Sequence, residues 1–177
     1  MIDNNILGLY DHNLESYKKV DAAYKSGEKI VGIVHATGTG KTLNALQLAL
    51  DNKDKKILYL TPYNSIIEHI HEIIEENPYL DLERDFGHVT FANYASLINM
   101  SRKEIEALGF DMVILDEFHH IGAPVWGDRI NTLLETHPNL LVFGMTAYTV
   151  RDRGTSYERD MTKYADNNLS NKIILLL

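Results

Sequence analysis

Cysteine is absent from this 177-residue sequence, which excludes disulfides and thiolate metal centres and is compatible with a reducing compartment. No apolar run approaches the roughly eighteen residues that a membrane-spanning helix requires. The opening MIDNNILGLYDHN has neither a basic start nor an apolar signal core. A soluble, cytoplasmic protein with no membrane partner is the resulting expectation. Positive charge is scarce too: 17 Lys and Arg stand against 25 Asp and Glu, a formal net charge of −8. Gripping nucleic acid by bulk electrostatics needs clustered cations. That mode is disfavoured, and Lys53, Lys55 and Lys56, interrupted by Asp54, read as a solvated turn before a strand. Repeats and low-complexity segments are also missing. What is present is 45% hydrophobic and 24% charged residues, the balance of one globular domain able to bury a core.

Short apolar runs at residues 30–34, 57–60, 89–92, 112–115 and 140–143 read as buried strands. Helical patterns fill the gaps. Ile66, Ile67, Ile70, Ile73 and Ile74 recur at helical spacing until Asn77 and Pro78 stop them. Ser101 and Glu104 form a capping box that opens a short helix ending at Gly109. Residues 124–136 place Ile130, Leu133 and Leu134 on one face, closed by His137 and Pro138. Such alternation predicts an α/β fold: a three-layer parallel sheet with helices on both faces, right-handed crossovers, and ligands at the carboxyl ends of the strands. Residues 150–170 turn polar with little periodicity, and residues 173–177 read as one last strand of the same sheet. A single domain over residues 1–177 is expected, with residues 150–177 as a polar excursion plus final strand.

The stretch HATGTGKTLNALQLAL, residues 35–50, carries the densest chemistry. Gly38, Gly40, Lys41 and Thr42 follow the first strand and open a helix. Glycines let successive amides curl toward one anion, and the helix N-terminus adds partial positive charge. The plainer alternative, a glycine turn before a helix, is set aside by that strand-loop-helix context. Lys41 is then the side chain that reaches the β and γ phosphates, and the Thr42 hydroxyl a Mg²⁺ ligand. In the general pattern GxxxxGK[ST] a glycine stands where this chain has His35. The complementary half is the acidic end of the run MVILDE: Asp116 to hold Mg²⁺ through water and Glu117 to orient the attacking water.

Other features carry less. His119 and His120 are adjacent, so their side chains diverge and make a poor metal pair. His69 and His71 lack the spacing of a zinc-protease helix, and read as the solvated face of the isoleucine-rich helix. Trp126 is suited to stacking on a base, and better suited to packing its helix on the sheet.

Taken together, ATGTGKT, LYLTPYNSI, VTFANYASL, DEFHH and GMTAYTVR, in this order, resemble the first RecA-like domain of a superfamily 2 helicase or DNA translocase. The similarity is to the DExH-type group that includes restriction-enzyme motor subunits, and runs from about Leu9 to Arg151. It implies a RecA-like P-loop ATPase domain that uses ATP and Mg²⁺ and acts on nucleic acid, with DNA favoured over RNA. A second RecA-like domain, absent from these 177 residues, supplies arginines across a cleft in that family, so the chain alone is expected to turn over feebly.

Carried over by position, Thr37, Gly38, Thr39, Gly40, Lys41 and Thr42 match the phosphate-loop motif. Asp116, Glu117, Phe118 and His119 match the acidic motif. Thr61, Pro62, Tyr63 and Asn64 resemble the motif that touches the phosphates of one strand, and Asn93, Tyr94 and Ser96 lie where a neighbouring strand contact falls. His119, Thr146 and Ala147 match the elements that couple nucleotide state to strand grip. Residues 1–28 become an adenine-side helical region in which Tyr10 and Asn13 stand where the family reads the base with a glutamine. The family often closes its coupling motif as Thr-Ala-Thr-Pro, whereas Tyr148 and Thr149 follow Ala147 here. Two other readings stay open: a stand-alone nucleotide-binding or interaction module degenerate as an enzyme, and a P-loop ATPase that does not act on nucleic acid.

Overall fold

A computed structural model of the protein describes residues 7–118, 124–147 and 173–176. Its sheet has six strands, β1 (Ile30–Val34), β2 (Ile57–Thr61), β3 (Val89–Asn93), β4 (Met112–Asp116), β5 (Leu141–Thr146) and β6 (Ile173–Leu176). Their spatial order is β3-β2-β4-β5-β1-β6, and every neighbouring pair is parallel. Parallel strands bury both faces, which is why β2 and β4 are unbroken in burial and why the runs are apolar throughout instead of alternating. Met112 and Ile114 enter one core while Val113 and Leu115 enter the other.

The helices are α1 (Asp11–Lys25), α2 (Lys41–Asp51), α3 (Asn64–Glu76), α4 (Leu82–Phe86), α5 (Tyr94–Ile98), α6 (Arg102–Glu106) and α7 (Pro124–Thr136). The first core packs Tyr17 and Val20 of α1, Leu46 of α2, Ile70 and Ile74 of α3 and Phe86 of α4 against one face. The second packs Tyr94 and Leu97 of α5, Ile105 of α6, and Ile130 and Leu133 of α7 against the other. The expected three-layer parallel architecture is therefore the observed one.

Two boundaries shift. The fifth strand continues past residue 143 to Thr146, because pairing with β1 persists to the register Val34↔Thr146. Gly144, which interrupts the apolar run, is needed within it: a Cβ there would lie 2.9 Å from the Phe118 ring. The helix opened by Ser101 has its capping box but stops at Glu106. Two five-residue helices, α4 and α5, were not anticipated. Each is started by one side chain, Asp81 accepting from the Arg84 amide and Asn93 from the Ser96 amide. The final strand pairs with β1. The expected polar excursion, together with His119, Tyr148 and Thr149, lies outside the described residues.

Candidate functional site

The carboxyl ends of β4, β5 and β1 lie side by side, with Asp116 opposite Met145 and Val34 opposite Thr146. Two strand spacings, about 10 Å, separate the outer two, so the loop after β1 and the acids after β4 share one edge.

The loop is shaped by its own residues. Gly38 and Gly40 have φ of 78° and 79°, the left-handed region that side chains with a Cβ resist. Gly40 caps α2 with no side-chain hydrogen bond, and the Leu43 amide donates to the Gly40 carbonyl at 3.0 Å. The Thr39 hydroxyl donates to the Ala36 carbonyl at 2.7 Å and closes the turn. The ammonium of Lys41, on a largely buried residue, donates to the carbonyls of His35 and Ala36, both at 3.1 Å. Thr42, in the first turn of α2, is half-buried, while Thr37 is exposed.

Helix α1 grips this loop from the side, a contact that sequence reasoning missed. His12 Nε2 donates to the Thr39 carbonyl at 2.8 Å, and Asn13 Nδ2 donates to the same oxygen at 2.9 Å. One turn on, the Ser16 hydroxyl donates to the His12 carbonyl at 2.9 Å and lies 2.8 Å from His35 Nε2. Ser16 has one proton and gives it to the carbonyl, so His35 Nε2 must be the donor to Ser16. His35, where the general pattern has glycine, thus ties the start of the loop to α1. Burial holds its pKa below the ordinary histidine value, and the charges of His12, Lys41 and Lys19 act in the same direction. The spacing of His12 and Ser16, four apart, puts them on one helical face but does not identify their partners.

Asn13 is wholly enclosed, its oxygen 2.9 Å from where a Cβ on Gly40 would lie. It braces the loop from beneath. Tyr10, 61% exposed, stacks on His12 with ring centres 5.7 Å apart and planes within 9°.

On the acidic side, Asp116 is only 6% exposed. Burial, then the charge of Glu117, pushes its pKa up to about 6, while the Glu117 amide and the charge of Lys41 pull the other way. Lys41 is therefore within electrostatic reach of Asp116. Glu117 is the one non-glycine residue with positive φ among the described residues, at 50°. That is strain on the order of 1 kcal/mol, held by its surroundings. Thr146 bridges the two halves: its carbonyl accepts from the His35 amide at 3.0 Å, and its hydroxyl donates to Glu117 Oε2 at 3.3 Å. Ala147 follows, half-buried.

A second group of expected residues gathers at the ends of β2 and β3. Asn93 Nδ2 donates to Asn64 Oδ1 at 2.6 Å, and Asn93 Oδ1 accepts from the Ser96 amide and hydroxyl, both at 3.0 Å. Tyr63 beside them is 63% exposed. Three residues expected at this edge, Thr61, Pro62 and Tyr94, have their side chains buried. Thr61 is fully buried and its hydroxyl donates to the Tyr63 carbonyl at 3.0 Å, so it shapes the turn with buried Pro62 and has no surface for a strand. Tyr94 is 2% exposed, its ring stacked on Trp126 and its hydroxyl donating to the Asp116 carbonyl at 2.8 Å. The cap made by Asn93 turns the next residue inward, so Tyr94 serves the core and Trp126 packs its helix.

Among known proteins, the family profile described as type III restriction enzyme, res subunit, matches residues 6–151. No curated protein sequence matches. The fold is similar to the Hef helicase domain of Pyrococcus furiosus, with TM-score 0.64 and 20% identity over 93% of this chain and 37% of that one. It is similar to the DEAH/RHA helicase HrpB of Escherichia coli, with TM-score 0.63 and 19% identity over 92% of this chain and 22% of that one. A hypothetical ATP-dependent RNA helicase from Sulfolobus tokodaii gives TM-score 0.56 and 17% identity over 94% and 57%. At these identities the likeness is one of fold, and this chain spans 22% to 57% of the length of those three.

Proposed function

We propose, from the premise that this chain belongs to the type III restriction enzyme res subunit family, that it is the first motor domain of an enzyme that hydrolyses ATP to move on or remodel nucleic acid. A helicase-type RecA-like domain is what the family and the similar folds establish. The finer reading rests on one observation above all: Thr146 joins the start of the phosphate loop, through His35, to Glu117, the neighbour of buried Asp116.

In this reading the amides at Gly38, Gly40 and Lys41 receive the phosphates, and Lys41 exchanges its two loop carbonyls for phosphate oxygens. Glu117 orients water, its carboxylate aimed by the left-handed turn and by Thr146. Tyr10 offers a ring face to the base, and Asn13 acts one layer below by fixing Thr39 and Gly40. The donor set fits Mg²⁺, a hard cation that takes oxygen ligands: Asp116 is a buried carboxyl next to the Glu117 carboxylate, and Thr42 carries a hydroxyl in the first turn of α2. When bound there, the ion would neutralise charge on the phosphate oxygens. Tyr63, Asn64, Asn93 and Ser96 form the edge that meets one nucleic-acid strand, by phosphate contact and without reading sequence. That mode suits a chain of net charge −8. We favour DNA over RNA as that strand because the matching family is named for a restriction enzyme subunit.

An arginine finger from a second domain is worth about 10³ to 10⁵ in rate. The chain alone is therefore expected to bind ATP and hydrolyse it slowly. Titration with labelled ATP and Mg²⁺ should show saturable binding that Lys41→Ala removes. Unchanged affinity in that variant would end the reading, and brisk, strand-stimulated turnover by the isolated chain would end its two-domain part.

A further inference from the structure

We propose that Tyr94 is a positioning residue that transmits the state of the strand-binding edge to Asp116 and Glu117. The inference rests on the reading above and adds a route between its two sites.

Three observations carry it. First, the Tyr94 hydroxyl donates to the Asp116 backbone carbonyl at 2.8 Å, in the interior. That carbonyl lies in the same rigid peptide plane as the Glu117 amide, and Glu117 leaves the plane through its left-handed φ of 50°. Holding the oxygen therefore fixes the plane from which the Glu117 carboxylate is aimed. Second, the residue before Tyr94 belongs to the exposed edge: Asn93 caps α5 through Ser96 and donates to Asn64, the first residue of α3. Adjacent residues thus face the two sites, Asn93 outward and Tyr94 inward. Third, the Tyr94 ring stacks on Trp126 of α7 at 4.9 Å and 19°. Confined in this way, the ring cannot absorb a movement of the α5 first turn by rotating, and passes it to the hydroxyl. A phenol that merely satisfied a buried carbonyl would affect stability and leave communication between the sites unchanged.

The test uses the full chain and Tyr94→Phe, which keeps the ring and its stacking and removes the hydroxyl. ATP affinity is measured with Mg²⁺, with and without a saturating single-stranded oligothymidylate, and the ratio is the readout. Couplings of this kind are about fivefold or more. The wild-type ratio is expected in that range, and the ratio for Tyr94→Phe is expected within about twofold of one. Asn93→Ser, which keeps a cap for α5 but is too short to reach Asn64, should lower the ratio in the same way and decides the matter if Tyr94→Phe does not fold. A wild-type ratio retained in the folded variant overturns the proposal. So does a wild-type ratio of one when ATP and the oligonucleotide each bind, an outcome that leaves the functional reading standing. Failure of wild type to bind either ligand removes the functional reading, and this inference with it.

Discussion

On the face of the sheet covered by α1, α2, α3 and α4, buried polar atoms of Asn13, Asn44, Gln47, Tyr59 and His71 have no hydrogen-bond partner within the protein. Over α5, α6 and α7 no such atom occurs among the described residues, and the buried phenol of that face, Tyr94, is bonded to Asp116. An unpaired buried polar group costs about 1 to 3 kcal/mol, so the two faces are held to different standards. The polar face lies beneath the phosphate loop, with Asn13 directly under Gly40 and Asn44 one turn into α2. The dry face supports the carboxylates from behind. Asn13, Asn44 and Gln47 sit on the two helices that meet at the phosphate loop, so part of the stability given up on this face is given up beside the site.

The sharpest way to break this contrast is to injure the dry face. Leu133 is fully buried among Ile130, Val113 and Val142. Leu133→Ala should destabilise the chain by roughly 3 to 5 kcal/mol and lower Tm by on the order of 10 °C, read by calorimetry. ATP affinity below the transition should hardly change. If nucleotide binding fails in proportion, the dry face is part of the site and the division is wrong.

Asp116→Asn should move stability the other way. Ionised Asp116 is held against burial that raises its pKa from 3.8 to about 6, an order of magnitude of up to about 3 kcal/mol at pH 8. Removing that charge should raise the urea midpoint at pH 8 while abolishing Mg²⁺-dependent hydrolysis. Lower stability at pH 8 would mean that Lys41 more than offsets the burial, and that the acid is structural.

Much of this architecture could be read from residue types, for a physical reason. Strands buried on both faces must be continuously apolar, so β1, β2, β4 and β5 stand out, the half-buried edge strand β3 and the final strand β6 were apolar enough to be read as well, and β5 was shortened only because Gly144 has no side chain to count. The phosphate loop and the Asp116-Glu117 pair were legible because their chemistry leaves little choice of residue. Direction was not legible. Thr61 and Tyr94 carry groups suited to a strand contact, but whether a hydroxyl points out or in depends on register and on the cap at Asn93. Nor does any periodicity join His12 to Thr39 or Ser16 to His35, because those contacts exist only once α1 folds back on the loop.

Asn44 allows a gentler sharpening. Both atoms of its buried amide lack a protein partner, so Asn44→Leu, close in size and apolar, should be neutral or stabilising by about 1 kcal/mol. Equilibrium urea unfolding at pH 7.5 would show it, and a loss of more than about 1 kcal/mol would mean that Asn44 is satisfied in solution and the two faces are more alike than they look.

The smallest effect concerns pH, where the two halves of the site oppose each other. His35 has a folded pKa below its ordinary 6.5, so the unfolded chain binds more protons in that window. Its contribution is complete above pH 6.5 and lost as pH falls through the lowered value. Asp116 has a folded pKa raised from 3.8 to about 6, so the folded chain binds more protons, and stability from this residue is complete below pH 3.8 and lost as pH rises through 6. Between pH 4 and 6.5 the two slopes therefore partly cancel in wild type. Asp85, whose pKa is held well down by Arg84 and Lys53, adds no slope above its ordinary value of 3.8. In an Asp116→Asn background the His35 slope should stand alone, with stability falling on acidification from pH 7 to 5. Adding His35→Gln, whose amide can still donate to Ser16, should flatten it. A slope that survives in the double variant would assign the acid sensitivity to another group, and would leave His35 as an anchor of the loop whose protonation is silent.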